Sequence, residues 1–424
     1  MSSPPSIAPS TPRGSVVPSS AAPEPAVRTP GRFQWLVIAT VAATYLLIVM
    51  GGVVRVTGSG LGCPDWPLCH GRLFPPLEFT ALIEYTHRLM GAVVSALIVA
   101  VVGGIWLRFR HHRMLVALAS GVVVLLVIQI ILGAVTVFTE LSPSVVLIHL
   151  GLAMLVLGTL VVLAVFTGRS GATLTANNRQ EVSQWLELRT LVLATAAAVY
   201  GLVLTGAAVR ATGATWSCVG WPDCNGVLLP LGVDQLVDTH LLHRFTAYTI
   251  AALAIFTVIR ARPWRRMFPD VWWWSLTLVA GVVAQGAIGV WGVTAGFVPL
   301  AQALHVAGAS AVWTAAVALA ALVARRRLHL PEPITADDSP PPVLTGVDSQ
   351  AGASVTVPPS PEAETAHASA SERHPYEAAP TRADEPPAAS APPGAGRRPL
   401  AAFVQLTKPR IILLLLAPTL CAMI

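Results

Sequence analysis

Long apolar runs separated by short polar connections dominate the chain, at about 33–54, 82–107, 114–138, 144–166, 188–208, 241–260, 271–294 and 300–324. Each is close to the roughly 20 residues that an α-helix needs to cross the hydrocarbon of a bilayer. The pattern predicts an all-α integral membrane protein with eight transmembrane helices. The ends read differently. Residues 1–32 are rich in Pro, Ser and Ala, with eight prolines in the first thirty positions, and hold too little apolar content to repay ordering. The arginines of this tail would suit a transit peptide, but its prolines oppose the amphipathic helix that such a peptide needs. Residues 325–400, rich in Pro, Ala and Ser, read as a disordered, solvated linker. Over 401–424 the text changes again: Leu406-Thr407-Lys408-Pro409-Arg410 leads into an apolar run too short to span comfortably, as though a further membrane domain were beginning.

Composition agrees with this reading, since 54% of residues are hydrophobic and only 11% are charged. The net charge of +6 is carried by arginines clustered in every second connection: Arg28 and Arg32, then Arg108, Arg110 and Arg113, then Arg169, Arg179 and Arg189, then Arg260 to Arg266, then Arg325 to Arg327. By the positive-inside rule that alternation places both termini in the cytoplasm. The other connections carry Asp65, Glu78, Asp223, Asp234 and Asp238 and face outward. The arginines are therefore topology signals, and no nucleic-acid partner is expected. All but one of the 27 basic residues are arginine, which resembles the coding bias of a GC-rich bacterium and points to a bacterial plasma membrane.

The chain also repeats itself. An offset of 155 pairs Arg55-Val56-Thr57-Gly58 with Arg210-Ala211-Thr212-Gly213, Cys63 with Cys218 and Cys69 with Cys224. An offset of 156 pairs His87 with His243, Arg88 with Arg244, Gln129 with Gln285, Gly133 with Gly289 and His149 with His305. This is an internal duplication, with one residue inserted in a loop. Each unit has four helices, so both run the same way through the membrane as a parallel repeat. The expected architecture is two four-helix bundles, 33–166 and 188–324, joined by a cytoplasmic connection at 167–187.

Within each unit the histidines enter helices two and four from the outer side at similar depth, roughly 8 Å down. Two imidazoles facing each other across a bundle can hold a planar iron porphyrin, and here the geometry occurs twice, as His87 with His149 and His243 with His305. The structural alternative, four packed neutral rings, requires each ring to find polar partners in lipid. Zinc suits the pairs less well, because each lacks nearby ligands to complete a tetrahedron; His240 and Cys69 are the nearest rivals, and neither recurs properly. The cysteine pairs Cys63/Cys69 and Cys218/Cys224 fall in outward loops, where an oxidising compartment favours disulfides that shape a lid; a redox relay is the alternative. Cys421 reads as packing.

Arg55 and Arg210 end helices one and five at the outer face, where a guanidinium can pair with a porphyrin propionate or simply anchor the interface. Arg88 and Arg244, directly after the histidines, carry the same two readings. The units differ most at Glu84, three residues before His87, where unit two has His240. A carboxylate there either bonds a loop amide or Arg88, or moves protons beside a redox centre.

With these residues in place the chain resembles the heme A synthase family over about residues 33–324. The resemblance is carried by Gly51 to Gly60, by Cys63-Pro64-Asp65-Trp66-Pro67-Leu68-Cys69, by Glu84-Tyr85-Thr86-His87-Arg88, and by the helices of His149, His243 and His305. It implies a heme-dependent oxidoreductase that converts a methyl group of heme O to the formyl group of heme A for terminal oxidase biogenesis. It further implies heme b as cofactor on His243 and His305, heme O between His87 and His149, Glu84 as the catalytic carboxylate, and Cys63–Cys69 as a disulfide. Iron enters through heme only. The segment Leu406–Ile424 resembles the opening of heme O synthase, a farnesyltransferase, but lacks the aspartate-rich diphosphate sites, so no prenyl transfer is expected from it. Heme O synthase, terminal-oxidase assembly factors and a second copy of this chain are the candidate partners. Two other classes stay open on the residues alone: a diheme electron-transfer cytochrome and a heme carrier or transporter.

Overall fold

The computed structural model describes residues 31–168, 174–175, 179–326 and 328–329. The expected N-terminal tail (bar its last two residues), almost all of the linker and the prenyltransferase-like segment lie outside the described residues.

Eight long helices form where the apolar runs lie: α1 Arg32–Val56, α2 Phe79–Arg108, α3 Arg113–Phe138, α4 Pro143–Thr167, α5 Arg179–Ala211, α6 Gln235–Ala261, α7 Pro269–Thr294 and α8 Pro299–Arg325. All eight are long and apolar enough to span a membrane, and the protein is an all-α multi-span membrane protein. Among the described residues the one strand pairing is a two-residue parallel match of Leu174–Thr175 with Leu328–His329.

Local chemistry sets the helix boundaries. Pro143, Pro269 and Pro299 open α4, α7 and α8, where the missing N–H costs nothing. Asp234 caps α6 by accepting from the Leu236 amide at 3.3 Å. Inside the helices, hydroxyls buried away from water donate back to the carbonyl one turn earlier, as Thr40 does to Leu36, Thr44 to Thr40 and Thr257 to Leu253. The turn between α3 and α4 places Glu140 and Leu141 at positive φ, and the α7–α8 turn does the same with Gly296 and Phe297, the matching positions of the repeat.

Two boundaries differ from expectation. Residues 179–187, expected in a connection, are the first turns of α5. Trp185 there is fully buried against Trp264 and Phe268, with ring centres 5.0 Å apart in both cases. The stretch is too polar to read as membrane but buries one apolar face, which is enough to extend the helix. Similarly, Arg325 still belongs to α8, and Arg326, expected in the linker, is buried and paired with Asp270.

Each unit closes on itself: α1 packs on α2 and α4, and α3 joins α2 to α4, with α5 to α8 repeating the arrangement. The units meet where α8 packs on α1 and α4, and where α4 packs on α5. Glycine lets α4 and α8 approach closely. At Gly158 a Cβ would lie 2.9 Å from the Trp313 ring, whose Nε1 donates to the Met154 carbonyl at 2.7 Å. Across this seam two hydrogen bonds are reciprocal: Tyr45 in unit one donates to the Ala307 carbonyl (3.1 Å), and Tyr200 in unit two donates to the Gly151 carbonyl (3.2 Å). Tyr45 and Tyr200 are 155 apart, Gly151 and Ala307 are 156 apart, so the duplicated units exchange equivalent contacts.

Candidate heme sites

His87 lies eight residues into α2 and His243 eight residues into α6, while His149 and His305 each lie six residues into α4 and α8. At 1.5 Å per residue the two levels are about 12 and 9 Å from the helix starts. The four rings thus stand at matched depth at one end of the molecule, the end that carries the cysteine loops.

Every ring sits in a notch left by a glycine of a neighbouring helix. A Cβ added at Gly51, Gly133, Gly206 or Gly289 would lie 3.2, 3.5, 2.9 or 3.3 Å from Cε1 of His87, His149, His243 or His305 respectively. Behind three of the rings, Nδ1 of His87, His149 and His305 is buried with no hydrogen-bond partner. His243 differs: its Nδ1 meets Thr205 Oγ1 at 3.1 Å. The ring centres of His243 and His305 are 6.4 Å apart at an angle of 77°.

Those features bear on whether a heme fits. Two imidazoles each about 2 Å from one metal through a ring nitrogen have ring centres on the order of 6 Å apart, which the second pair matches. Among the described residues no three His, Cys, Asp or Glu side chains gather as a metal site. Two nitrogens per unit are what a porphyrin, bringing four of its own, requires. The residues fit the group.

The cysteine loops close over these ends. Cys63 is disulfide-linked to Cys69 and Cys218 to Cys224, with Cα atoms 4.6 and 4.8 Å apart. Arg88 Nη1 donates to the carbonyls of Asp65 and Leu68, each at 2.7 Å, and Nη2 to the Cys63 carbonyl at 2.8 Å and to Glu84 Oε1 at 2.5 Å. Arg244 repeats the clamp on the carbonyls of Asp223, Cys218 and Gly220. The terminal nitrogens of both arginines thus bond loop carbonyls. Arg55 and Arg210 are exposed at their helix ends, and Arg210 lies within electrostatic reach of Arg55 across the units.

Glu84 is only 4% exposed, and its second oxygen accepts from the Cys63 amide at 2.8 Å. It thus makes both bonds of the structural reading, to a loop amide and to Arg88. Its position nonetheless ties the disulfide loop to the helix turn that carries His87. In unit two His240 is equally buried but donates from Nδ1 to the Ala214 carbonyl at 3.0 Å. Asp65, outside the spans, accepts from the His70 and Gly71 amides at 2.6 and 2.7 Å. Burial works to raise its carboxyl, but those amides and Arg88 outweigh it and hold the group below the ordinary carboxylate value.

Sequence reasoning noticed Gly133, Gly289, Gln129 and Gln285 as repeated and Gly51 as the start of a motif but gave them no role, and missed Gly206, Thr205, Tyr45 and Tyr200. The signal was present for the glycines and tyrosines, because the same offset pairs them. Thr205 had none, since its partner at that offset is Met50. An open groove at the opposite end, lined by Arg179, Glu187, Phe256 and Arg260, is remote from the histidines and is crossed by the Glu187–Arg260 ion pair.

Fold and site together define a polytopic membrane protein built from two duplicated helix bundles, each presenting a pair of inward histidines beneath a cysteine loop. The chain belongs to the cytochrome oxidase assembly protein family, whose model matches residues 34–194 and 189–347. It is similar to the heme A synthases of Exiguobacterium sibiricum (33% identity, 61% of this chain and 85% of the relative) and Symbiobacterium thermophilum (32%, 59% and 83%). That of Alkalihalophilus pseudofirmus is 29% identical over 60% of this chain and 84% of its own length.

Proposed function

We propose that the chain is a heme A synthase, an oxidoreductase of the bacterial plasma membrane that converts a methyl group of heme O to the formyl group of heme A. The observation that carries this reading is the duplicated seat: a histidine against a glycine, four times over, with His243 and His305 spaced to share a metal. The similarity to heme A synthases over most of their length supports it. His243 and His305 would hold heme b, and His87 and His149 would flank heme O. Both termini lie in the cytoplasm and the cysteine loops outside, as the alternation of arginines indicates. Heme O synthase and terminal-oxidase assembly factors are the partners this reaction implies.

When bound, heme supplies the redox chemistry that oxidising an unactivated methyl requires and that no side chain offers. The chain's own residues do the rest. The glycine notches fix the planes of the four rings, the disulfide loops exclude water from the ends of the bundles, and Arg88 and Arg244 hold the loops shut. Glu84 is the carboxyl that handles protons next to the substrate. One of its oxygens accepts from Arg88 and the other from the Cys63 amide, so the first loop and the proton site are tied together. An electron conduit or carrier would have no use for a carboxylate in one unit only, where unit two has His240.

The test is the heme extracted from cells that supply heme O. Glu84→Gln keeps the shape and removes the proton site. It should fold, retain heme b, and accumulate heme O or its singly hydroxylated form, with a rate lowered about 100- to 10,000-fold. Normal heme A production by this variant would overturn the role given to Glu84.

A further inference from the structure

The two units differ in the atoms just behind their histidines. The Thr205 hydroxyl lies 3.1 Å from His243 Nδ1 and 2.9 Å from the Leu202 carbonyl. A hydroxyl has one proton. Donated to the carbonyl, it leaves Thr205 only as an acceptor toward the ring, so Nδ1 carries the imidazole proton and Nε2 is left as a bare lone pair. The Leu47 and Leu202 carbonyls lie beside His87 and His243 alike. The residue matching Thr205 in unit one, however, is Met50, which has no hydroxyl.

On the facing helices the difference runs the same way. The Gln129 amide nitrogen lies 3.2 Å from His149 Nε2 and so occupies a lone pair that a metal would need. Its counterpart Gln285 turns aside and donates to the His305 backbone carbonyl at 2.8 Å. A ligand arriving at His149 Nε2 must displace an amide; at His305 no such contact stands in the way.

We propose that Thr205 and Gln129 are the positioning residues that make unit two a retaining site and unit one a releasing site. Thr205 presents His243 in the ligating tautomer and strengthens it as a donor, while Gln129 competes for His149 and returns to it as the porphyrin leaves. The proposal rests on the reading of unit two as the resident heme b site and unit one as the substrate site.

Full-length protein in detergent, carrying heme b, is mixed with excess apomyoglobin and the transfer of heme is followed by absorbance. Thr205→Val, and Thr205→Ala without the extra bulk, should lose heme b about 10- to 100-fold faster. They should also raise the reduction potential of the heme that remains, because the ligand is a weaker donor. Thr205→Ser should restore both values, which a merely structural role would not predict. In a His305→Ala background, which confines added heme to unit one, Gln129→Leu should slow heme release several-fold. Unchanged transfer rates in Thr205→Val and Thr205→Ala, with heme lost from His243→Ala, would overturn the role of Thr205 alone, and an unchanged rate in Gln129→Leu that of Gln129. Retention of heme b by His243→Ala would instead overturn the reading of unit two and the proposal with it.

Discussion

Unit one and unit two seat their histidines in the same glycine notches, yet the polar groups around those seats are almost all different. Glu84 faces the first loop where unit two has His240; Met50 stands where unit two has Thr205; Gln129 reaches a ring where Gln285 reaches a carbonyl. Even the loop brace changes, with His70 Nε2 on the Gly62 carbonyl in one unit and Asn225 Nδ2 on the Ser217 carbonyl in the other. Duplication preserved what shapes the cavity and varied what sets its chemistry. Geometry here is a property of the fold, whereas the division of labour lies in a handful of hydrogen bonds.

The glycine seats give the largest test of the shared part. At Gly206 an added Cβ would sit 2.9 Å from His243 Cε1, so the ring must move, whereas at Gly133 the corresponding contact with His149 is an ordinary 3.5 Å. Gly206→Ala should therefore cost about 1–3 kcal/mol in overpacking and sharply reduce the heme b to protein ratio. Gly289→Ala, where the contact with His305 Cε1 is 3.3 Å, should reduce it less. Equal losses in these two variants would mean that the tightness of the seats does not govern the rings.

The seam between the units gives a smaller effect. Tyr45→Phe and Tyr200→Phe each remove one of two equivalent hydrogen bonds and should each cost about 0.5–1.5 kcal/mol, read as matched drops in the thermal midpoint of the detergent-solubilised protein. A drop in only one variant would show that the reciprocal contacts are equivalent in geometry alone.

The smallest effect concerns the loops. Asp65 is held below its ordinary value of 3.8, so its bonds to the His70 and Gly71 amides contribute fully at neutral pH and are lost as pH falls through the lower folded value. Reduction of Cys63–Cys69 by a phosphine should stay slow down to about pH 4 and quicken below it. In Asp65→Asn it should be faster at neutral pH, with no acid step. A pH-independent rate in the wild type would remove Asp65 from the brace.

The eight helices, their grouping in fours and the four histidines were legible in the sequence because lipid demands long apolar runs and duplication prints its offset on the text. The first turns of α5 were not, since Trp185 alone is fully buried there, in an otherwise polar stretch that makes no apolar run. The loop contacts of Arg88 and Arg244 were not legible either, because a guanidinium beside a histidine has the same composition whatever it bonds, and the carbonyls around it are set by the fold. Thr205 was invisible for the opposite reason: its importance comes from differing between the units, and the repeat was read for what it shared.

The central claim, that unit two keeps a heme which unit one does not, is tested most directly by the heme content of four purified variants, His87→Ala, His149→Ala, His243→Ala and His305→Ala. The account predicts that heme b stays at wild-type stoichiometry in the first two and is lost from the last two. Heme b lost equally from all four, or lost from the unit-one variants and kept in the unit-two variants, would contradict it.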